Sequence, residues 1–143
     1  MVGGKSKLPE IVIRVIPHSQ HRYSTTGDYY EVEGGKWVIE VSEVGDARYE
    51  FLVAIHELVE WFLLWLRGVK EEEVRVFDEW WEEEAKKGNV QGDQPGDDLR
   101  APYHWEHVFA TLIERMVALQ LDVDWKEYER RLKELYKDEG DKN

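Results

Sequence analysis

Between Phe51 and Leu66 the chain reads FLVAIHELVEWFLLWL, apolar on every side of a helical wheel except at His56, Glu57 and Glu60. A helix with no polar face packs into a core. An ionisable group in a core is costly unless it is paired or binds a metal. His56 and Glu60 stand four residues apart, one turn along a single face, a spacing that lets two side chains grip one ion. Glu57 points about 100° away round the helix, which suits a proton-transfer group better than a further ligand. The pattern H-E-x-x-E therefore leaves two roles for this segment. It is a metal centre, or it is a buried ion-pair set in which Glu60 meets His56 or an arginine such as Arg115.

The flanking sequence describes what holds this helix. Ile11–Ile16 is a β-branched run stopped by Pro17 and reads as a strand. Residues 29–33 and 36–41 alternate about the pair Gly34-Gly35, a hairpin signal. After Arg67-Gly68 the spacing predicts a second helix from Glu71 to Lys87, with Val74, Phe77 and Trp81 as its apolar stripe. A polar connection (89–98) follows. A third helix opens near Pro102 and runs to about Leu121, its core stripe read as Trp105, Val108, Leu112, Met116 and Leu119. Asp124 and Glu127 form a capping box for a fourth, with Tyr128, Leu132 and Leu135 inward. Strands first and helices after give an α+β fold: a small N-terminal antiparallel sheet of about three strands packed against about four helices. At 143 residues this is one domain, 1–143, with residues 1–10 and 138–143 expected to be flexible.

Charge and composition narrow the partners. A net charge of −12 repels phosphate backbones and is compatible with cations, so nucleic acid is not an expected ligand. The chain has no cysteine, so any metal ligands are His, Asp or Glu. The start lacks the apolar core of a signal peptide, and the apolar helix is short for a membrane span and carries three ionisable groups. The expected location is the cytoplasm, with no membrane partner. Abundant Glu, Lys and Arg with no Cys point towards a thermophilic source.

Further ligands are sought on the third helix, where His104 and His107 lie three apart and project in similar directions. Either could complete a shell with His56 and Glu60. Two imidazoles and a carboxylate suit zinc, and Asp78 as an added or supporting acid would extend the choice to manganese, iron or magnesium. The ordinary alternatives are a capping or surface role for the two histidines and a solvated Asp78. His18 and His21 belong to a polar loop.

The segment Tyr49–Leu64 resembles the active-site helix of the zincin metallopeptidases, written H-E-x-x-H in that family. Preceding strands, small size and a later helix containing Phe109-Ala110-Thr111-Leu112-Ile113 also resemble the minimal zincin domains. The resemblance implies zinc on His56 and Glu60, Glu57 as the general base, and His104 or His107 as third ligand. The chain departs from the family at Glu60, where the family has His; Glu ligates zinc too, with more negative charge. The runs Ile16-Pro17-His18-Ser19 and Ala101-Pro102-Tyr103-His104 are similar to small phage-encoded proteins, and a phage origin would place the protein in the host cell.

Three functions follow as expectations. The first is a zincin-like metal-dependent hydrolase acting on a peptide or amide bond. The second is a metal-dependent nucleotide phosphohydrolase, with Arg100 and Arg115 as the nearest phosphate-binding candidates. The third is a non-enzymatic phage accessory protein in which an ion or ion pair staples two helices.

Overall fold

The computed structural model describes residues 5–140. Three strands, β1 (Ile11–Ile16), β2 (Gly27–Val32) and β3 (Lys36–Ser42), precede four helices, α1 (Ala47–Arg67), α2 (Glu71–Lys86), α3 (His104–Gln120) and α4 (Trp125–Gly140). The fold is α+β, as the order of sequence patterns implies. Of the expected flexible ends, residues 1–4 and 141–143 lie outside the described residues; at the other boundary, α4 continues past Asp138 to Gly140.

The hairpin forms as read. β2 and β3 pair antiparallel, and the connection between them places Gly34 and Gly35 at φ of 84° and 74°, values that favour glycine. The sheet is nevertheless mixed, because β1 lies parallel to β3 in the order β1–β3–β2. Ile16 is level with Ser42, and Gly27 with Val41. The segment 17–26 therefore has only to step across the end of β3 to start β2 on its far side. The hairpin then returns β3 into the middle, running with β1. The sequence carries a turn signal for β2–β3 but none for the edge that β1 joins. β3 is the buried strand, with Ile39 and Val41 at 0% exposure, whereas β1 is an outer strand whose middle four residues face solvent.

Helix α1 lies against β2 and β3 and is bounded by its own chemistry. The Asp46 carboxylate accepts from the Arg48 backbone N–H at 2.9 Å, and Gly68 stops the helix at φ 78°. Its inner face carries Leu52, Val53, Trp61 and Leu64 into one hydrophobic cluster that also takes residues from all three strands and from α2, α3 and α4. His56 and Glu60 lie on the same buried face. No helix of the described residues is long and apolar enough to cross a membrane.

Helix α3 runs antiparallel to α1. Arg67, at the end of α1, donates to the carbonyl of Pro102 at 2.8 Å, while His56, nearer its start, meets Glu114. Its orientation corrects the stripe expected from the sequence. The buried face is His107, Ala110, Glu114 and Ala118, and Trp105, Leu112, Met116 and Leu119 are 71, 56, 64 and 79% exposed. Small residues at the contact bring the two helix backbones close, and the two polar residues find partners there. The apolar count along the helix favoured the other face. In α4 the expected cap is present, with the Glu127 backbone N–H donating to Asp124 at 3.0 Å, and Tyr128 and Leu135 are buried.

Candidate metal centre

Three buried side chains converge between α1 and α3. The Oε2 atom of Glu60 lies 3.1 Å from Nε2 of His56 and 3.2 Å from Nδ1 of His107. Among the described residues, His56, Glu60 and His107 form the one group whose ligand atoms, all within 4.8 Å of one another, could hold a metal ion. The helical spacing on α1 supplies the first two, and the antiparallel crossing of α3 supplies the third.

Each histidine is held from behind by a carboxylate. His56 Nδ1 is 2.8 Å from Glu114 Oε1, and His107 Nε2 is 3.3 Å from Asp97 Oδ1. Such partners fix the tautomer and aim of a metal-binding imidazole. Those partners are anchored in turn. Tyr128 in α4 donates to Glu114 at 2.5 Å, and Tyr29 in β2 donates to the second oxygen of Glu60 at 2.8 Å. Burial beside these acids pushes the phenols of Tyr29 and Tyr128 well above their ordinary value and keeps them donors. The back of the His107 ring is shaped by Gly96, where a Cβ would fall 2.3 Å from the ring.

Without a cation the cluster behaves as a charge network. Burial disfavours the imidazolium of His56, but the hydrogen bonds it donates to Glu114 and Glu60 outweigh burial and raise His56 well above its ordinary value. In the same balance, Asp97 and Glu60 push His107 up to about 9. Glu60, though buried, is drawn down to about 2 by the two histidines.

Beside the cluster opens a cavity of about 560 Å³ between the 23–29 segment, α1, α2, the 93–97 loop, α3 and α4. Glu57 lines it, with its carboxyl packed on Gly27, where a Cβ would come within 2.6 Å. Burial and the neighbouring Glu60 push Glu57 well above the usual carboxylate range. Asp78 lines the same cavity, accepting from Tyr23 at 2.9 Å and from Tyr103. Burial raises it to about 7 despite those two donors. Trp81 and Trp125 are also in the wall, so part of the chain's tryptophan borders the cavity as well as the core.

The structure thus brings together His56, Glu60 and His107 and sets Glu57 and Asp78 nearby. His104 lies outside the group, its Nδ1 bonded to the carbonyl of Gly96 at 2.9 Å, where it secures the loop beside His107. Arg115 does not reach Glu60; its guanidinium stacks 4.7 Å over the Trp125 ring. His18 and His21 both bond the Ser42 hydroxyl, at 2.8 and 2.9 Å, away from the cluster. Glu114, Asp97 and Tyr29 were not singled out from sequence. For Glu114 a signal was available, since it stands two helical turns after His107 and so shares its face. Asp97 and Tyr29 come from a loop and a strand, and no local spacing ties them to the helices.

No protein-family model, no curated protein and no solved structure matches this chain.

Proposed function

We propose that the protein is a metal-dependent hydrolase, with zinc held by His56, Glu60 and His107 and a peptide or amide as substrate. The observation that carries the reading is the pair of carboxylate–histidine contacts. Glu114 and Asp97 take one nitrogen of each ring and leave His56 Nε2 and His107 Nδ1 turned to the same oxygen of Glu60. Two histidines and one glutamate form a three-ligand set that leaves coordination positions open, the arrangement of catalytic rather than structural zinc. A bound ion would polarise a carbonyl and acidify a water molecule. The chain's own groups then divide the work. Glu57, one residue from a ligand and facing the cavity, takes the proton from the attacking water and returns it to the leaving amine. Tyr29 holds Glu60, and Tyr128 holds Glu114, so neither acid swings away as charge develops. The cavity admits a side chain or short peptide segment.

A nucleotide phosphohydrolase is less well supported. The cavity wall includes Asp28, Glu71, Asp78 and Glu82, and its two cations are engaged: Arg115 on Trp125, and Lys133 at 3.6 Å from Asp93. Arg100 is paired with Asp98 at 2.7 Å. Few positive groups remain to receive phosphate.

The test combines metal content with hydrolysis. Protein purified without added metal is expected to carry or take up one transition-metal ion per chain. His107→Ala should lose uptake, and His104→Ala should retain it. Glu57→Gln should keep the ion and the fold, and reduce cleavage of a peptide library by a factor of about 10²–10⁴. Absence of uptake in the wild type would leave the cluster as an ion-pair staple. Uptake with no cleavage in any peptide would make the ion structural.

A further inference from the structure

The face of α3 turned away from the cavity has an order of its own. Trp105, Phe109, Leu112, Met116 and Leu119 are 71, 48, 56, 64 and 79% exposed. Their separations of four, three, four and three residues are the heptad spacing that keeps one seam facing a partner helix. Phe109 joins Phe62 of α1 in an apolar groove, and Phe51 at the other end of α1 is 44% exposed, so the seam continues onto the neighbouring helix. Side chains of this size expose on the order of 150–200 Å² each when bare. The five on α3, with Phe51 and Phe62, hold roughly 700 Å² of apolar surface in water, close to the ~800 Å² that each partner gives to a standard interface.

Charge identifies the occupant. The chain carries 31 acidic residues, yet those of α3 are turned away from this face or neutralised on it. Glu114 is buried against His56, and Glu106 is paired with Arg67 at 2.7 Å. On α1, Glu57 and Glu60 face the cavity and the metal cluster. A second copy, equally acidic elsewhere, can therefore approach here without setting acid against acid. An anionic lipid surface or a nucleic acid would meet the net charge of −12, with Arg115, stacked on Trp125, the one basic residue of α3.

We propose that the protein forms a two-fold symmetric dimer in which the α3 seam of one protomer packs against the α3 seam of its copy. A two-fold contact is self-complementary, and the middle of a symmetric seam lies nearest the axis. Leu112 is that middle residue. The seam lies opposite the buried face of α3, so the dimer leaves the cavity open.

Sedimentation equilibrium from about 1 to about 100 μM should give twice the chain mass of 17.0 kDa for the wild type. Leu112→Glu and Met116→Glu, both at exposed positions, should keep the wild-type circular dichroism. Each should weaken dimerisation at least about ten-fold. The chain has no cysteine, so Leu112→Cys supplies a single thiol. Under mild oxidation it should form a linked dimer, and Glu83→Cys on the exposed side of α2 should not. A monomeric wild type throughout the range overturns the proposal. So does a dimer that survives both glutamate substitutions, or a monomer that instead sediments with phosphatidylcholine vesicles. These readouts do not depend on hydrolysis or on a bound ion.

Discussion

Asp78 shows what a single residue's surroundings do to the pH response of the fold. Its carboxyl accepts from Tyr23 and Tyr103 but is buried, and its value rises from about 3.8 to about 7. A folded value above the unfolded one means that protonation favours the native state. The contribution is complete below pH ~3.8, where both states are protonated, and declines as pH rises towards 7 because the unfolded chain ionises first. Above 7 it is constant. Asp78→Asn should remove this dependence. Urea unfolding of wild type and variant at intervals from pH 4 to 8 should show their stability difference shifting in the variant's favour by as much as about 4 kcal/mol. A difference that stays flat across that window would show that Asp78 is already ionised at the lower end. The same polar wall contains Glu57, whose carboxyl packs on Gly27 without a phenol to receive. The contrast separates the two acids: one accepts from two phenols, the other lines the cavity against Gly27.

At the scale of elements, the 93–97 loop matters as much as the helices. Gly96 presses its backbone on the His107 ring, and its carbonyl receives His104. Gly96→Ala should push the ring away from Glu60 while leaving the hydrophobic cluster untouched. The expected outcome is metal affinity lowered about 10–100-fold, the usual scale for disturbing a ligand's support, with circular dichroism unchanged. Calorimetric titration with zinc measures it, and wild-type affinity in the variant would show that the loop yields. This loop marks where sequence reading ran out. The helix stop at Gly68, the cap at Asp124, the hairpin at Gly34-Gly35 and the His56/Glu60 pair are local, fixed by neighbours one turn or one residue away, and they were legible. The face of α3 was not, because its spacing permits two stripes. The apolar one, Trp105 to Leu119, resembles a core. The mixed one, His107, Ala110, Glu114 and Ala118, became the core because small residues and paired charges fit a close helix crossing. Asp97 and Tyr29 reach the site only through tertiary structure.

For the whole molecule, the largest fully buried side chains lie mostly on β3 (Ile39, Val41, Ser42) and α1 (Leu52, Trp61, Leu64), and the other elements pack about that pair. α1 presents its polar residues to the cavity and α3, its aliphatic face to the sheet, and Phe51 and Phe62 to solvent. The sheet is less well protected on its other side. Among the described residues, strand β1, IVIRVI, pairs only with β3, and it exposes Val12, Ile13 and Val15 at 40, 47 and 47%. Six β-branched-rich residues with open backbone donors and acceptors are the kind of segment that templates fibrils. Two features act as gatekeepers. Pro9 and Pro17 bracket the strand and cannot extend a ladder, and Arg14 places a cation in its centre, 3.3 Å from Glu40. Arg14→Val should lower the melting temperature by a few degrees, because the buried Glu40 loses its partner, and, at a temperature where both proteins are folded, shorten the lag before thioflavin-positive aggregates appear on agitation. An unchanged lag would assign the protection to the prolines. On this reading, resistance to fibril growth rests at the margin of the sheet, on one guanidinium and two flanking prolines around a strand that contributes little to the core.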